Sequence, residues 1–284
     1  MTQTAAVKAT AAATGAAATE RFRSDKSHVA GHSSPERVSM LAREVLEAVH
    51  ATIRKHDVSY AEYDALKAWL IRVGADGEWP LFLDVFVEHV VEEVANASRA
   101  GSKCAIEGPF YVPGAPEFGA QATLPMREHE AGTRLVFQGQ VRAVDRTPLA
   151  GATVDIWQAD DAGYYSQFAP GIPAWNLRGR ITTGEHGHFA IRTIKPGPYQ
   201  IPTDGATGAL IRAANWHAWR PAHLHLKVSA PGHRLMTTQL YFPGDPHNED
   251  DIASAVKPEL MLNPKPAADG NGVEATYEFV LDPA

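Results

Sequence analysis

The chain has 284 residues, of which 44% are hydrophobic, and a formal net charge of -7. This length suffices for one large domain or two smaller ones with a buried core. The acidic balance argues against nucleic acid or an anionic membrane as partner, and favours small molecules or a second copy of the chain. The single cysteine excludes an intramolecular disulfide and any metal site built from cysteines alone.

The first 27 or so residues are rich in alanine and threonine and lack the apolar core of a secretory signal. We therefore predict a disordered tail over residues 1–27. Nothing later in the chain approaches the run of about 20 apolar residues that crosses a bilayer. The prediction is a cytoplasmic protein without membrane insertion.

Residues 28–100 are predicted to form a helical domain. From Pro35 onward, apolar residues recur every three to four positions, as on one face of a helix. Ser34 suits the N-cap of this helix and Pro35 its first position. A second helix is expected over residues 59–73, ending at Gly74, and a third over about 79–97. The apolar positions of the first helix are Val38, Leu41, Val45, Leu46, Val49 and Ile53.

Beyond residue 100 the pattern changes, because glycine and proline become frequent and short alternating runs appear. Several short strands between turns predict a β-sandwich or barrel. The chain is therefore expected to be mainly β, with a β-sandwich over residues 101–284 behind the helical domain. The expected strands cover residues 135–141, 152–157, 188–193, 223–228, 236–242 and 275–281.

Two histidines two positions apart on a predicted strand are the first candidate site. Successive side chains on a strand point to opposite faces, so His223 and His225 share a face and could share a metal. A hydrogen-bonded or surface pair explains the spacing equally well. The other such pair, His186 and His188, lies in a predicted turn and is interpreted as structural.

The remaining ligands would decide which metal is bound, since imidazole alone suits zinc, copper, iron or nickel. No acidic residue occurs between His217 and Gln239, so the glutamate that follows the histidines of a cupin is absent. A carboxylate could still come from Asp155 or Asp160. Tyrosines at strand ends, within residues 163–166 and 196–202, are further candidates.

Several motifs follow one another along the chain: residues 106–111 (IEGPFY), 155–159 (DIWQA) leading to 163–166 (GYYS), 198–199 (PY), 220–225 (RPAHLH) and 237–240 (TTQL). Together they resemble the intradiol ring-cleavage dioxygenases, and most of all the catechol 1,2-dioxygenases of actinobacteria. The resemblance extends over about residues 66–264.

The resemblance implies one mononuclear non-haem Fe(III) per subunit in the sandwich, which would be the catalytic domain. Its ligands would be Tyr165, Tyr199, His223 and His225. Tyr165 is chosen over Tyr164 because the family pattern is Gly-x-Tyr-Ser. Phenolate is a hard anionic donor, which suits ferric iron.

The activity implied by the resemblance is intradiol (ortho) cleavage of catechol by O2 to cis,cis-muconate, a step of aromatic catabolism in the β-ketoadipate pathway. Tyr199 would leave the iron as substrate binds and take a substrate proton. Arg220 would stabilise negative charge on the ring. Gln239 would help to arrange Arg220 and the oxygen pocket.

The same resemblance implies a largely apolar substrate pocket, which suits a flat aromatic ring. Asp84 is the acidic exception, and family members that accept hydroxyquinol have an acid in this place. Hydroxyquinol and chlorinated or otherwise substituted catechols are therefore alternatives to catechol. The implied pocket residues are Leu81, Asp84, Ile106, Gly108, Pro109, Phe110, Ile201, Pro202 and Arg220.

For the N-terminal helices the resemblance implies dimerisation, with lipid able to lodge between the subunits. Two other classes of protein are considered. A prealbumin-like β-sandwich that binds without catalysing would explain the strand pattern but not residues 220–225 or Gln239. An extradiol or cupin dioxygenase with a different metal is the other alternative.

Overall fold

The computed structural model describes residues 33–284. The predicted tail, and the predicted start of the helical domain at residue 28, lie outside this range. Helix α1 spans Pro35–His56, and the Ser34 hydroxyl accepts a hydrogen bond from the Arg37 amide, so the predicted N-cap is confirmed. Helix α2 spans Tyr60–Ala75 and begins with a capping box between Ser59 and Glu62.

The prediction of one continuous third helix is wrong, because the chain forms two helices, α3 (Trp79–Phe86) and α4 (Glu88–Asn96), with a break at Val87. Side-chain bonds to the segment that follows α4 hold this helix in place. Its Asn96 amide pairs with both backbone groups of Cys104, at 2.9 and 2.7 Å. The Glu88 carboxylate accepts from the Glu107 amide at 2.9 Å.

The region after α4 consists mainly of short strands. Their bounds, with those of one further helix, are β1 Glu117–Phe118, β2 Gln121–Thr123, β3 Arg134–Ala143, β4 Thr153–Gln158, β5 Arg178–Thr182, β6 His188–Ile194, β7 Tyr199–Gln200, α5 Ala206–Ala213, β8 Trp219–Arg220, β9 His223–Ser229, β10 Met236–Tyr241, β11 Lys265–Pro266 and β12 Val273–Leu281.

Two five-stranded sheets form the predicted sandwich, with strand orders β1-β5-β4-β9-β10 and β11-β12-β3-β6-β2. All six predicted strands are present. Seven short elements were not predicted from the sequence, namely β1, β2, β5, β7, β8, β11 and helix α5.

Two apolar clusters organise the interior. The larger fills the space between the sheets and includes Phe137, Leu224 and Phe279. A second cluster includes Leu81 of α3 together with Trp157. The helical region therefore packs against the outer face of the first sheet. No helix among residues 33–284 has the length and apolarity to cross a membrane.

Candidate metal centre

The paired histidines lie on the outer face of the first sheet. On β9, Leu224 points into the core between the sheets, so its neighbours His223 and His225 point the opposite way. They are 1% and 0% exposed, and their Nε2 atoms are 2.9 Å apart. Across the sheet, the Trp157 indole of β4 stacks on the His225 ring with 4.8 Å between centroids.

Hydrogen bonds and burial hold both imidazoles neutral. The Nδ1 of His223 lies 2.6 Å from the Pro221 carbonyl and donates to it, which leaves Nε2 as the free lone pair. The Nδ1 of His225 is 3.2 Å from the Gln239 amide nitrogen. Burial, with the Arg220 charge beside it, lowers the pKa of His223 to about 3. Burial and the neighbouring His223 lower the pKa of His225 well below its usual value. Neutral imidazole is the form that ligates metals.

Tyr165 adds a third potential metal ligand to the histidine pair. Its hydroxyl lies 3.1 Å from the Nε2 of His225, and its ring stacks on Phe110 with 4.4 Å between centroids. Tyr165 is 3% exposed, whereas Tyr164 is 57% exposed. The structure therefore brings Tyr165, and not Tyr164, to the histidines.

The turn that carries Tyr165 is built around Asp160. One carboxylate oxygen accepts from the amides of Ala162 and Tyr164, at 3.0 and 2.9 Å. The other lies 2.8 Å from the Arg127 guanidinium. The Asp160 carbonyl also accepts from Gly197 at 3.0 Å. Asp160, which the sequence left as a possible metal ligand, thus connects the Tyr165 turn to the turn that precedes Tyr199.

Gly163 lets these two turns touch. It has a φ of +85°, and a Cβ there would lie 2.7 Å from the Cβ of Tyr199. Both the backbone conformation and the lack of space require glycine. The two tyrosine-bearing turns are therefore in direct contact at this residue.

Tyr199 on β7 is the fourth donor. Its ring centroid lies 5.3 Å from that of Tyr165 and 5.6 Å from that of His223. Its buried hydroxyl forms no hydrogen bond of good geometry, although Tyr165 and Arg220 lie close enough for weak hydrogen bonds that oppose the effect of burial on its pKa. An unpaired buried hydroxyl is uncommon and calls for an explanation. A metal or substrate at this point would satisfy it.

The four donors fit a ferric ion by their chemistry. Burial raises the pKa of both Tyr165 and Tyr199, so the phenols keep their protons unless a strong cation replaces them. Two phenolates and two neutral imidazoles match a trivalent, oxygen-preferring metal better than a soft divalent one. The Nε2 atoms of His223 and His225 lie 2.9 Å apart, so a cation bound between them would be within reach of both.

Arg220 lies next to this centre as a buried charge. Its guanidinium makes two bonds of 3.0 Å to the Asp251 carboxylate. It also donates to the Gln239 side-chain oxygen at 2.9 Å, and that oxygen accepts from the Tyr241 hydroxyl at 2.6 Å. A third nitrogen of Arg220 is 3.3 Å from the Nε2 of His223. Burial disfavours the charge, but Asp251 more than offsets this and keeps the pKa of Arg220 well above its usual value.

Asp251 is the site residue that the sequence analysis missed. Its oxygens also accept from the amides of Ala253 and Ala255, each at 3.1 Å. Burial raises its pKa, but Arg220 outweighs burial and the net pKa is lowered. In the sequence it follows the polar run at residues 245–250, which resembles an exposed loop. Asp155, the other carboxylate considered, instead accepts from the Tyr111 hydroxyl at 3.1 Å.

A cavity of about 450 Å³ opens beside Tyr165 and Tyr199. Of the predicted pocket residues, Phe110, Ile201 and Pro202 line it. Its mostly apolar wall suits an aromatic ring.

The other predicted pocket residues lie behind this wall or apart from it. Leu81 and Ile106 belong to the apolar cluster that contains both tyrosines. Gly108 has a φ of +70°, and a Cβ there would lie 3.4 Å from the His225 ring. Pro109 and Arg220 are buried and Asp84 is half-buried, and none of the three is among the residues lining the cavity.

The fold is a β-sandwich. Its four donor side chains are suited to one mononuclear metal, beside a small pocket that suits an aromatic ring. Two family models match almost the whole described chain. The model for the catechol dioxygenase N terminus matches residues 35–103, and a dioxygenase model matches residues 106–283. The chain belongs to the intradiol ring-cleavage dioxygenase family, as the sequence motifs predicted. This assignment replaces the non-enzymatic and cupin alternatives.

Named relatives agree with this family. A chlorocatechol 1,2-dioxygenase from Rhodococcus opacus is 43% identical over 229 residues, which cover 80% of this chain and 89% of the relative. A catechol 1,2-dioxygenase from Acinetobacter baylyi is 34% identical over 250 residues, covering 84% and 80%. The crystal structure of a 3-chlorocatechol 1,2-dioxygenase from Rhodococcus opacus superposes with a TM-score of 0.85 at 47% identity, covering 88% of this chain and all of that one.

Proposed function

We propose that this protein cleaves the ring of a catechol between its two hydroxyl-bearing carbons, with one Fe(III) per chain held by Tyr165, Tyr199, His223 and His225. Both atoms of O2 enter the product, which is cis,cis-muconate when the substrate is catechol. The supporting observation is the meeting of four donors at one buried point. The histidine nitrogens are 2.9 Å apart, the Tyr165 hydroxyl is 3.1 Å from one of them, and the Tyr199 hydroxyl has no partner.

Bound ferric iron would supply a Lewis acid that accepts both catechol oxygens and withdraws electron density from the ring. Catechol must lose protons to bind in this way. The Tyr199 oxygen is placed to receive one, because it is buried, has no hydrogen-bond partner and, as a phenolate, would be a base of raised pKa. Tyr199 would then act as ligand before substrate binds and as base during binding.

Arg220 supplies a fixed positive charge beside the ring. Asp251 keeps the guanidinium charged and oriented, so it can stabilise negative charge that develops on the substrate. Gln239 holds Arg220 through its oxygen and lies against His225 through its nitrogen. Gln239 thus fixes the position of the Arg220 cation relative to that of the proposed metal ligand His225.

The first test is colour and iron content. Tyrosinate bound to ferric iron absorbs broadly in the visible range, so iron-loaded protein should be burgundy and contain one iron per chain. Protein that stays colourless after iron reconstitution would refute the ligand set. Tyr199→Phe should shift the band and lower turnover, while Tyr164→Phe, at the exposed neighbour that lines the cavity, should preserve the band.

Catechol is the reference substrate, and chlorinated catechols are the second candidate. The chlorocatechol enzyme and the 3-chlorocatechol enzyme structure from Rhodococcus opacus are 43% and 47% identical to this chain. The other chlorocatechol relatives are 33–37% identical, in the same range as the catechol relatives at 34% and 35%. Asp84, half-buried on α3, supports testing hydroxyquinol as well. Values of kcat/KM on catechol, methylcatechols, chlorocatechols and hydroxyquinol decide among them, and a strong preference for hydroxyquinol would reject the catechol assignment.

We also propose a homodimer formed through α1. This helix has no buried residue, and its large apolar side chains are between 39% and 62% exposed. Isolated apolar residues are normal at a surface, but a continuous stripe marks an interface. The stripe could also shelter a lipid chain between subunits. Light scattering measures the mass at micromolar concentration, and native mass spectrometry detects lipid.

A further inference from the structure

A second group of metal-ligating side chains lies outside the proposed iron centre. His217, His247 and Asp250 each offer one ligand atom, and the three atoms lie within 4.8 Å of one another. The Asp250 carboxylate sits between the two rings, with one oxygen 3.4 Å from the Nε2 of His217 and the other 3.1 Å from the Nδ1 of His247. Among residues 33–284 this is the only cluster of three histidine, cysteine, aspartate or glutamate side chains with that spacing.

The surrounding structure holds this cluster in place. The Trp219 indole lies flat on the His247 ring, with 5.1 Å between centroids and 4° between planes. The His247 amide donates to the Asp245 carboxylate at 3.0 Å. The Ile252 amide donates to the Trp219 carbonyl at 3.1 Å, which joins β8 to the segment that carries Asp250. Ligands already held near one another lose little conformational freedom when a metal binds.

We propose that His217, His247 and Asp250 form a second metal site that takes a divalent transition ion, with Zn²⁺ as the representative. Two imidazoles and one carboxylate are a common protein ligand set for Zn²⁺. A cavity of about 440 Å³ lined by His217 and Asp250 adjoins the cluster, so water can complete the coordination. Mg²⁺ prefers oxygen ligands and is not expected to bind here.

Zinc ligation would change the hydrogen bonds of His217. In the metal-free protein its Nδ1 accepts from the Trp219 amide at 3.1 Å, so a neutral ring carries its proton on Nε2, which faces Asp250. Ligation through Nε2 would shift that proton to Nδ1 and break the hydrogen bond to the Trp219 amide.

The proposed metal site would stabilise the ion pair between Arg220 and Asp251. His217 lies three residues before Arg220, and Asp250 is next to Asp251, the partner of Arg220. A metal would therefore clamp β8 to the segment that supplies Asp251. The clamp should stabilise the fold and hold Arg220 in its position. This inference does not depend on which catechol the enzyme cleaves.

The test uses the iron-loaded full-length protein, titrated with ZnCl2 in equilibrium dialysis, with zinc and iron counted per chain. The expected result is one saturable zinc per chain with the visible iron band intact, and a higher Tm with zinc present. Asp250→Asn, which is nearly isosteric, and His247→Ala should each weaken zinc binding at least tenfold. His186→Ala, at an exposed histidine on a distant turn, should bind zinc as the wild type does.

Three results would overturn the proposal. The first is the absence of saturable zinc binding to the wild type, and the second is equal binding by Asp250→Asn and the wild type. The third is zinc uptake matched by loss of iron and of the visible band, which would place zinc in the first centre. Iron content before titration tests the proposed function separately, so failure of one proposal is distinguishable from failure of the other.

Discussion

Strand β9 buries polar side chains, whereas helix α1 exposes apolar ones. On β9, His223 and His225 are almost completely buried, and each has polar neighbours within the same chain. On α1, the apolar residues Leu46 and Val49 are 55% and 46% exposed, and no residue of the helix is buried. The polar centre therefore finds its hydrogen-bond partners inside one subunit, whereas the apolar face of α1 is the surface on which the proposed homodimer depends.

The largest expected effect on stability comes from separating the buried ion pair. Asp251→Ala would leave the Arg220 charge buried without its partner, and we expect the free energy of unfolding to fall by about 3–5 kcal/mol. Urea denaturation of the metal-free and iron-loaded forms measures it. Asp251→Asn retains the hydrogen-bond acceptor and should cost less. An Asp251→Ala protein as stable as the wild type would show that the interior tolerates the lone arginine.

The next effect should come from the residue that links the two tyrosine turns. Asp160→Ala removes the acceptor of two backbone amides and the partner of Arg127. We expect iron affinity to fall by about 10–100-fold, as when the supports of metal ligands are removed, with a shifted visible band. Arg127→Gln removes the ion pairs of a partly exposed side chain with Asp160 and Glu130 but keeps the amide bonds of the turn, and it is the control. If both variants behave alike, the ion pairs of Arg127 rather than the amide bonds of the turn position the tyrosines.

A smaller effect is expected from filling the contact between those turns. In Gly163→Ala the new methyl group would meet the Cβ of Tyr199 at 2.7 Å, in a backbone conformation of positive φ. The cost should be about 1–3 kcal/mol. Thermal unfolding measures the cost, and the visible band reports any displacement of Tyr199. Gly171→Ala provides a control for the backbone alone, since it has a φ of +80° and open space around it. Equal effects in the two variants would mean that the turns can move apart.

The smallest effect on the folded subunit should come from α1. Leu46→Glu places a charge on the exposed apolar stripe and is expected to halve the mass in light scattering. The unfolding free energy of the separated subunit should change by no more than about 0.5 kcal/mol, as for most surface substitutions. Glu44→Gln changes a charged residue of the same helix and should leave the mass unchanged. A mass unaffected by Leu46→Glu would argue against α1 as the interface.

Local rules in the sequence determined much of this protein. The alternation of a strand put His223 and His225 on one face, and the Ser34 cap marked where α1 begins. These features depend on residues two to four positions apart, so they can be recognised without a fold. The motifs around Tyr165 and Tyr199 identified the family for the same reason.

Only the tertiary structure decided which distant groups meet. Asp251 reaches Arg220 across 31 residues, and the Asn96 side chain of α4 pairs with the backbone of Cys104. Burial makes such partners obligatory, since an unpaired charge or amide is costly away from water. A sequence shows the polar residue but not whether it will be buried. For that reason the paired histidines were visible from the start, while the carboxylate that orients the neighbouring arginine was not.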